Sequence, residues 1–147
     1  MIQVQKCPIA TTLNKIGKKW SMTIIRDMLF GFHHFSDFLK NNPGLSAKVL
    51  ADRLKELEGH GFIQRREIVQ TGKREVEYHL TSRGIRLKQV LFALSMFGAT
   101  EFPEEVFGQE VPYGDMVNIF GNGFKLEPEE IEMMQSPQIE EAYSTGD

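Results

Sequence analysis

The chain has 147 residues, 41% apolar and 25% charged, which fits one soluble domain with an appendage and excludes a collagen, a mucin-like stalk or a wholly disordered protein. No apolar run approaches the roughly 20 residues of a membrane span, the first residues lack a signal peptide's apolar centre, and one cysteine makes no internal disulfide, so the expected compartment is the cytoplasm. The net charge of -3 hides a division: residues 1–97 sum to +8 and residues 98–147 to -11, so the first two thirds carry the electrostatic footprint of a polyanion binder.

Pro8 suits a first helical turn, and Ile9, Leu13 and Ile16 then form one apolar face that Gly17 ends. A second helix is expected from about Lys19 to Phe30, with Trp20, Ile24, Ile25, Met28 and Leu29 inward and Gly31 as its stop. Phe35–Asn41 predicts a short third helix, closed by the loop signal Asn42-Pro43-Gly44. The fourth starts at Ser46, a plausible N-cap, and carries Val49, Leu50, Leu54 and Leu57 to about His60. At about 1.5 Å per residue it spans roughly 21 Å, long enough to lie in a DNA groove.

The period then changes. Phe62–Val69 and Arg74–Leu80 read as strands around the turn Gln70-Thr71-Gly72-Lys73, with Val76, Tyr78 and Leu80 on one face, which makes a β-hairpin with a basic tip. Thr81 looks like the N-cap of one long helix to about Phe97, whose apolar stripe is wide enough to face both a core and a partner subunit. Beyond Gly98 the chain is acidic and broken by prolines. Met116–Phe120 reads as a strand or a helical turn and Pro128–Met134 as a short helix, while the last ten residues look disordered.

This order predicts a mainly α fold with a small β-hairpin wing: a winged helix-turn-helix over residues 1–98, followed by an acidic extension over 99–147. The fourth helix would enter the major groove. Its expected DNA-facing residues are Ser46, Ala47, Lys48, Ala51, Arg53 and Lys55, with Lys73 and Arg74 at the hairpin tip for phosphate or minor-groove contact. Arg53 has a competing role, pairing with Asp52 or Glu56 or bracing the hairpin.

Cys7-Pro8-Ile9, Leu13, Ile16-Gly17-Lys18-Lys19-Trp20, Arg26 and Phe35-Ser36 resemble the HxlR family of bacterial and archaeal transcription regulators. So do Pro43-Gly44-Leu45-Ser46, Leu50, Arg53-Leu54, Leu57-Glu58 and Tyr78-His79-Leu80-Thr81 with Gly84. The resemblance covers about residues 6–98. It implies a homodimer joined through Pro8–Ile16 and Ser82–Phe97 that reads a pseudo-palindromic operator in double-stranded DNA. It also implies that Cys7 is a possible redox sensor, since some relatives sense oxidants, quinones or aldehydes through such a cysteine. The surroundings agree, because Lys6 and a helix start activate a thiol, although the bland alternative is a small buried hydrophobe. Two departures stand out: Lys18 where the family usually has a second Gly, and some fifty residues beyond the usual end.

His33-His34 is read as a surface or capping pair, since only Asp37 lies at ligand spacing, so no metal or other cofactor is expected. The phenylalanines read as core, with room for a small organic effector near the dimer helices. The acidic tail reads as folded packing, with autoinhibition of the basic face or partner docking as alternatives. No Ser/His/Asp set, phosphate-binding Gly loop or H-E-x-x-H stretch is present, so the chain is not expected to be an enzyme. The rival to DNA binding is a winged helix that docks proteins instead.

Overall fold

The computed structural model describes residues 2–134; the expectation for the last ten residues lies outside them. The elements run α1 (Pro8–Ile16), α2 (Ser21–Leu29), α3 (Phe35–Asn41), α4 (Ala47–Gly59), β1 (Ile63–Gln70), β2 (Lys73–Leu80), α5 (Ser82–Ile85), α6 (Lys88–Glu101), α7 (Pro103–Phe107), α8 (Tyr113–Gly123) and α9 (Pro128–Met134). The chain divides into two compact units, the first ending at Lys88 and the second beginning at Gln89. The charge divides at the same place, because residues 89–97 carry none. Among the described residues no helix is long and apolar enough to cross a membrane.

In the first unit the periodic apolar residues meet as predicted. Ile24, Ile25 and Met28 of α2 close on Phe38 of α3 and on Leu50, Leu54 and Leu57 of α4, all buried. Between α1 and α2, Trp20 adopts a left-handed φ of 79°, which turns the chain sharply and starts α2 two residues later than the sequence pattern indicates. Of the predicted apolar face of α1 only Ile16 enters this core. Ile9 and Leu13 remain 71% and 55% exposed.

β1 and β2 form one antiparallel pair in unbroken register, from Ile63 opposite Leu80 to Gln70 opposite Lys73. The two loop residues, Thr71 and Gly72, both have positive φ (48° and 80°), the geometry whose twist matches a two-residue hairpin. Below the hairpin, Thr81 caps α5 by accepting from the Gly84 N–H at 3.2 Å and donates to the Gly61 carbonyl at 2.6 Å. A Cβ on Gly84 would collide with the Phe62 carbonyl, so this helix approaches the hairpin base only because the residue is glycine.

The single long helix expected after Thr81 is instead two. At Leu87 the backbone N–H bonds to the Gly84 carbonyl, three residues back, which tightens the turn and separates α5 from α6. The acidic extension is helical where described, so Met116–Phe120 lies inside α8 and is not a strand. Here α6 buries Leu91, Phe92, Met96 and Ala99, and the second unit adds Met116, Phe124 and Leu126. Gly121 gives the Ile131 side chain room to approach α8. The Glu130 carboxylate accepts from the Glu127 N–H at 2.9 Å and fixes the start of α9.

Candidate nucleic-acid interface

The angle between α3 and α4 is set by a buried polar knot. Asp27, 1% exposed, accepts from Arg26 Nε and Nη2 at 2.9 and 2.7 Å on one oxygen. Its other oxygen accepts from Asn42 Nδ2 at 2.7 Å, and the same Nδ2 donates to the Phe38 carbonyl at 2.8 Å. Asn42 is the last residue before the Pro43-Gly44 turn, so α2 holds the end of α3 and the start of that turn together. Gly44 has a φ of 93°, and a Cβ there would lie 3.8 Å from the Trp20 ring. The turn is thus a left-handed glycine seated on an aromatic face.

Ser46 opens α4 as predicted, its Oγ accepting from the Val49 N–H at 3.2 Å. Ala47, Lys48, Ala51, Asp52 and Lys55 are exposed on the side away from Leu50, Leu54 and Leu57. Lys48 and Lys55 have no side-chain partner among the described residues. Arg53 is different. At about 100° per residue it lies roughly 140° around the helix from Lys48. Its Nε donates to the Lys19 carbonyl at 3.0 Å, its Nη1 lies 3.5 Å from Glu56, and its side chain is 18% exposed. Arg53 therefore ties α4 to the turn before α2, a contact the sequence did not foresee, beside the pairing with Glu56 that it left open.

Lys18, the departure from the family pattern, joins the same tie. Its Nζ lies 2.7 Å from Glu56 Oε1, across 38 residues of chain. The Lys18 hydrogen bond, assisted by the charges of Lys18, Arg53 and His60, holds the Glu56 carboxyl below its ordinary value of 4.5.

At the wing, Lys73 and Arg74 are exposed and without a side-chain partner among the described residues. Register places them on opposite faces: Arg74 with Val69, Glu67 and Arg65, and Lys73 with Glu75, Glu77 and His79. Two further wing cations escaped the sequence reading. Arg65 pairs with Glu67 at 3.0 Å, and Arg66 donates to Gln64 at 3.3 Å. The capping role read for His33 and His34 holds for His34, while their contact with the wing was missed. His34 is the N-cap residue of α3, and its N–H donates to Asp37 at 3.2 Å. Both histidines meet the wing: Tyr78 N–H donates to the His33 carbonyl at 2.8 Å, and His33 stacks on His79 at 4.2 Å. Only the hairpin register, combined with the position of α3, brings these distant residues together. Cys7 is exposed just before α1.

A helix braced at its start by a short turn, offering unpaired lysines and followed by a hairpin with a cationic tip, defines a winged helix-turn-helix DNA-binding protein. Residues 15–106 match the HxlR-like helix-turn-helix family, to which the chain belongs. It is 36% identical over 108 residues to the HTH-type transcriptional regulator YvaP of Bacillus subtilis, covering 73% of this chain and 98% of that one. Among solved structures, the redox regulator HypR in its oxidised form superposes with a TM-score of 0.60 at 31% identity, covering 64% of this chain and 96% of that one. The reduced form of the transcriptional regulator YodB from Bacillus subtilis superposes at 0.56 with 32% identity, covering 67% and 95%. The chain is a DNA-binding transcription regulator of the HxlR type.

Proposed function

We propose that two copies of the chain bind a short pseudo-palindromic operator, with Lys48, Ala51 and Lys55 of α4 along the major groove and Lys73 and Arg74 on flanking phosphates or the minor groove. The observation that carries this is the exposed, unpaired state of Lys48 and Lys55 beside two small alanines, on the helix that the Asp27–Asn42 knot positions. Ser46 serves mainly as the cap, Ala47 lines the entry of the helix into the groove, and Arg53 positions α4 without touching a base. No catalytic role is proposed, and the site of action is the cytoplasm.

Dimerisation is proposed through α1 and α6. Both leave large apolar side chains in water: Ile9 and Leu13 on one, Val90, Leu94 and Phe97 on the other. The domain that works as a unit on DNA is then residues 1–98, with the acidic extension as added packing. Genome-wide capture of fragments by the purified protein at low and moderate salt tests the reading. With roughly 6–10 phosphates neutralised, affinity should fall about 10³–10⁵-fold between about 50 and 200 mM salt. A recurrent palindrome that survives the higher salt is the expected outcome, and motif-free, salt-labile binding would sink the proposal.

The likeness to oxidised HypR supports a redox role for the exposed Cys7. Its thiolate would attack an oxidised small thiol such as glutathione disulfide, forming a mixed disulfide and releasing one thiol. Operator affinity of the wild type should then change on such treatment, and that of Cys7→Ser should not. A response that persists in Cys7→Ser removes the role.

A further inference from the structure

We propose that the helical extension builds a binding site for a lipophilic organic amine: a pocket along α6, apolar at one end and bounded by the Glu101 carboxylate at the other. This site needs neither DNA nor a second copy of the chain.

The pocket holds about 340 Å³, within the range of small-ligand cavities. Two rows of α6 side chains line it at the i, i+4 spacing that stacks residues on one helical face. Phe92, Met96 and Thr100 form one row, the first two buried. Ala93, Phe97 and Glu101 form the other, all exposed. Tyr113 from the start of α8 and Met134 from the end of α9 supply the facing walls. Both lie beyond residue 106, where the match to the family ends, so the extension is what turns a helix face into a pocket.

Chemistry changes along the two rows. From Phe92 to Glu101 the helix rises roughly 13 Å, from a phenyl and a methyl group to a hydroxyl and a carboxylate. Thr100 Oγ1 donates to Met116 Sδ at 3.9 Å, which leaves its lone pairs free to accept. Glu101 makes no hydrogen bond or ion pair among the described residues. It is also the last residue of α6, whose last turn has no basic residue, so the negative end of the helix adds to its field. Phe97 and Tyr113 are more than half exposed, and aromatic rings attract a cation over their faces. An edge contact with Phe102, centroids 6.4 Å apart, steadies the Phe97 ring. Each of these features favours positive charge. An ammonium head bonds to Thr100 and Glu101 while its hydrocarbon body covers Phe92, Ala93 and Met96.

The extension offers almost no competing cation. Residues 89–134 hold nine Asp/Glu against one Lys, Lys125, and residues 135–147 contain neither Lys nor Arg. That charge draws cations in general, and the apolar end of the pocket selects a lipophilic one. Phe97 belongs both to the pocket and to the face of α6 proposed above to join two copies, whereas Val90 and Leu94 of that face lie outside the pocket.

Isothermal titration of the full chain with three probes of similar size tests the site: 4-phenylbutylamine, 4-phenylbutanol and 4-phenylbutyrate, which are cationic, neutral and anionic at neutral pH. The amine should bind about five- to tenfold tighter than the alcohol, and the anion should not bind. Glu101→Gln should lower the amine to the affinity of the alcohol and leave the alcohol unchanged, a split that lost packing does not produce. Ala93→Phe, at an exposed position, should fill the apolar end and weaken both by about tenfold or more. Glu104→Gln removes a carboxylate outside the pocket and should bind the amine as wild type does. If Ala93→Phe does not fold, the Glu101→Gln comparison carries the test. Equal affinity for amine and alcohol, an amine that ignores Glu101→Gln, or equal losses in Glu101→Gln and Glu104→Gln overturns the proposal. So does absence of amine binding, the result expected if joined copies seal the rim. Each of these outcomes leaves the DNA-binding reading of α4 and the wing standing.

Discussion

Asp27 is the residue on which the helix-turn-helix most depends, and nothing in its neighbourhood in sequence announces it. A buried aspartate inside an amphipathic helix breaks the apolar pattern. Its reason is visible only once Asn42, fifteen residues on, comes to meet it. Replacing Asp27 with Ala removes a buried charged acceptor and returns the partly exposed Arg26 to solvent. The cost should be about 2–4 kcal/mol, read as a lower urea midpoint at unchanged m. Lys48 and Arg53 make the opposite contrast. The sequence pattern groups them as polar residues of one helix, yet one points to solvent unpaired and the other is tied to the Lys19 carbonyl. Lys48→Ala should weaken operator binding by about 1–3 kcal/mol and leave the thermal midpoint unchanged. Arg53→Ala should lower the midpoint, and its effect on DNA should be shared equally by all sequences. A base-specific loss in Arg53→Ala would return that residue to the groove.

At the scale of elements, helices with one buried stripe and a hairpin with a two-residue turn were legible, because each is set by neighbours within a few residues. α3 occupies Phe35–Asn41 and Ser46 caps α4, as periodicity and capping chemistry require. The break between α5 and α6 was not legible: no Gly or Pro marks Leu87, and the tightening serves the seating of α5 on the hairpin base. Gly84 is what permits that seating. Gly84→Ala should therefore cost about 1–3 kcal/mol despite alanine's better helix propensity, measured by thermal unfolding. The second long-range tie, Lys18–Glu56–Arg53, has a pH signature. The folded pKa of Glu56 is depressed below 4.5, so the stability it contributes is complete above that value and is lost as pH falls through the folded value. The difference in urea midpoint between wild type and Glu56→Gln should accordingly be present at neutral pH and vanish in acid. A constant difference would assign the effect of Glu56 to packing.

At the scale of the whole molecule, charge is segregated. The unit that ends at Lys88 holds nearly all of the cations, while the unit from Gln89 holds one, Lys125. A basic unit alone attracts any phosphate backbone; two joined copies discriminate, because both half-sites must then be occupied at a fixed spacing. Leu13 tests whether that joining uses α1. Its side chain is 55% exposed, so Leu13→Lys leaves the core intact and should keep the thermal midpoint of the folded chain. Within an apolar subunit contact, however, the same change places a charge in each copy where no partner awaits it. In sedimentation equilibrium the wild type should weigh twice the chain mass of 16.8 kDa and the variant once. Operator affinity should fall by about 10²–10⁴-fold, the gain that linkage of two sites supplies, while weak binding to mixed-sequence DNA persists. A variant that remains dimeric would move the interface off α1 and leave the exposed face of α6 to carry it.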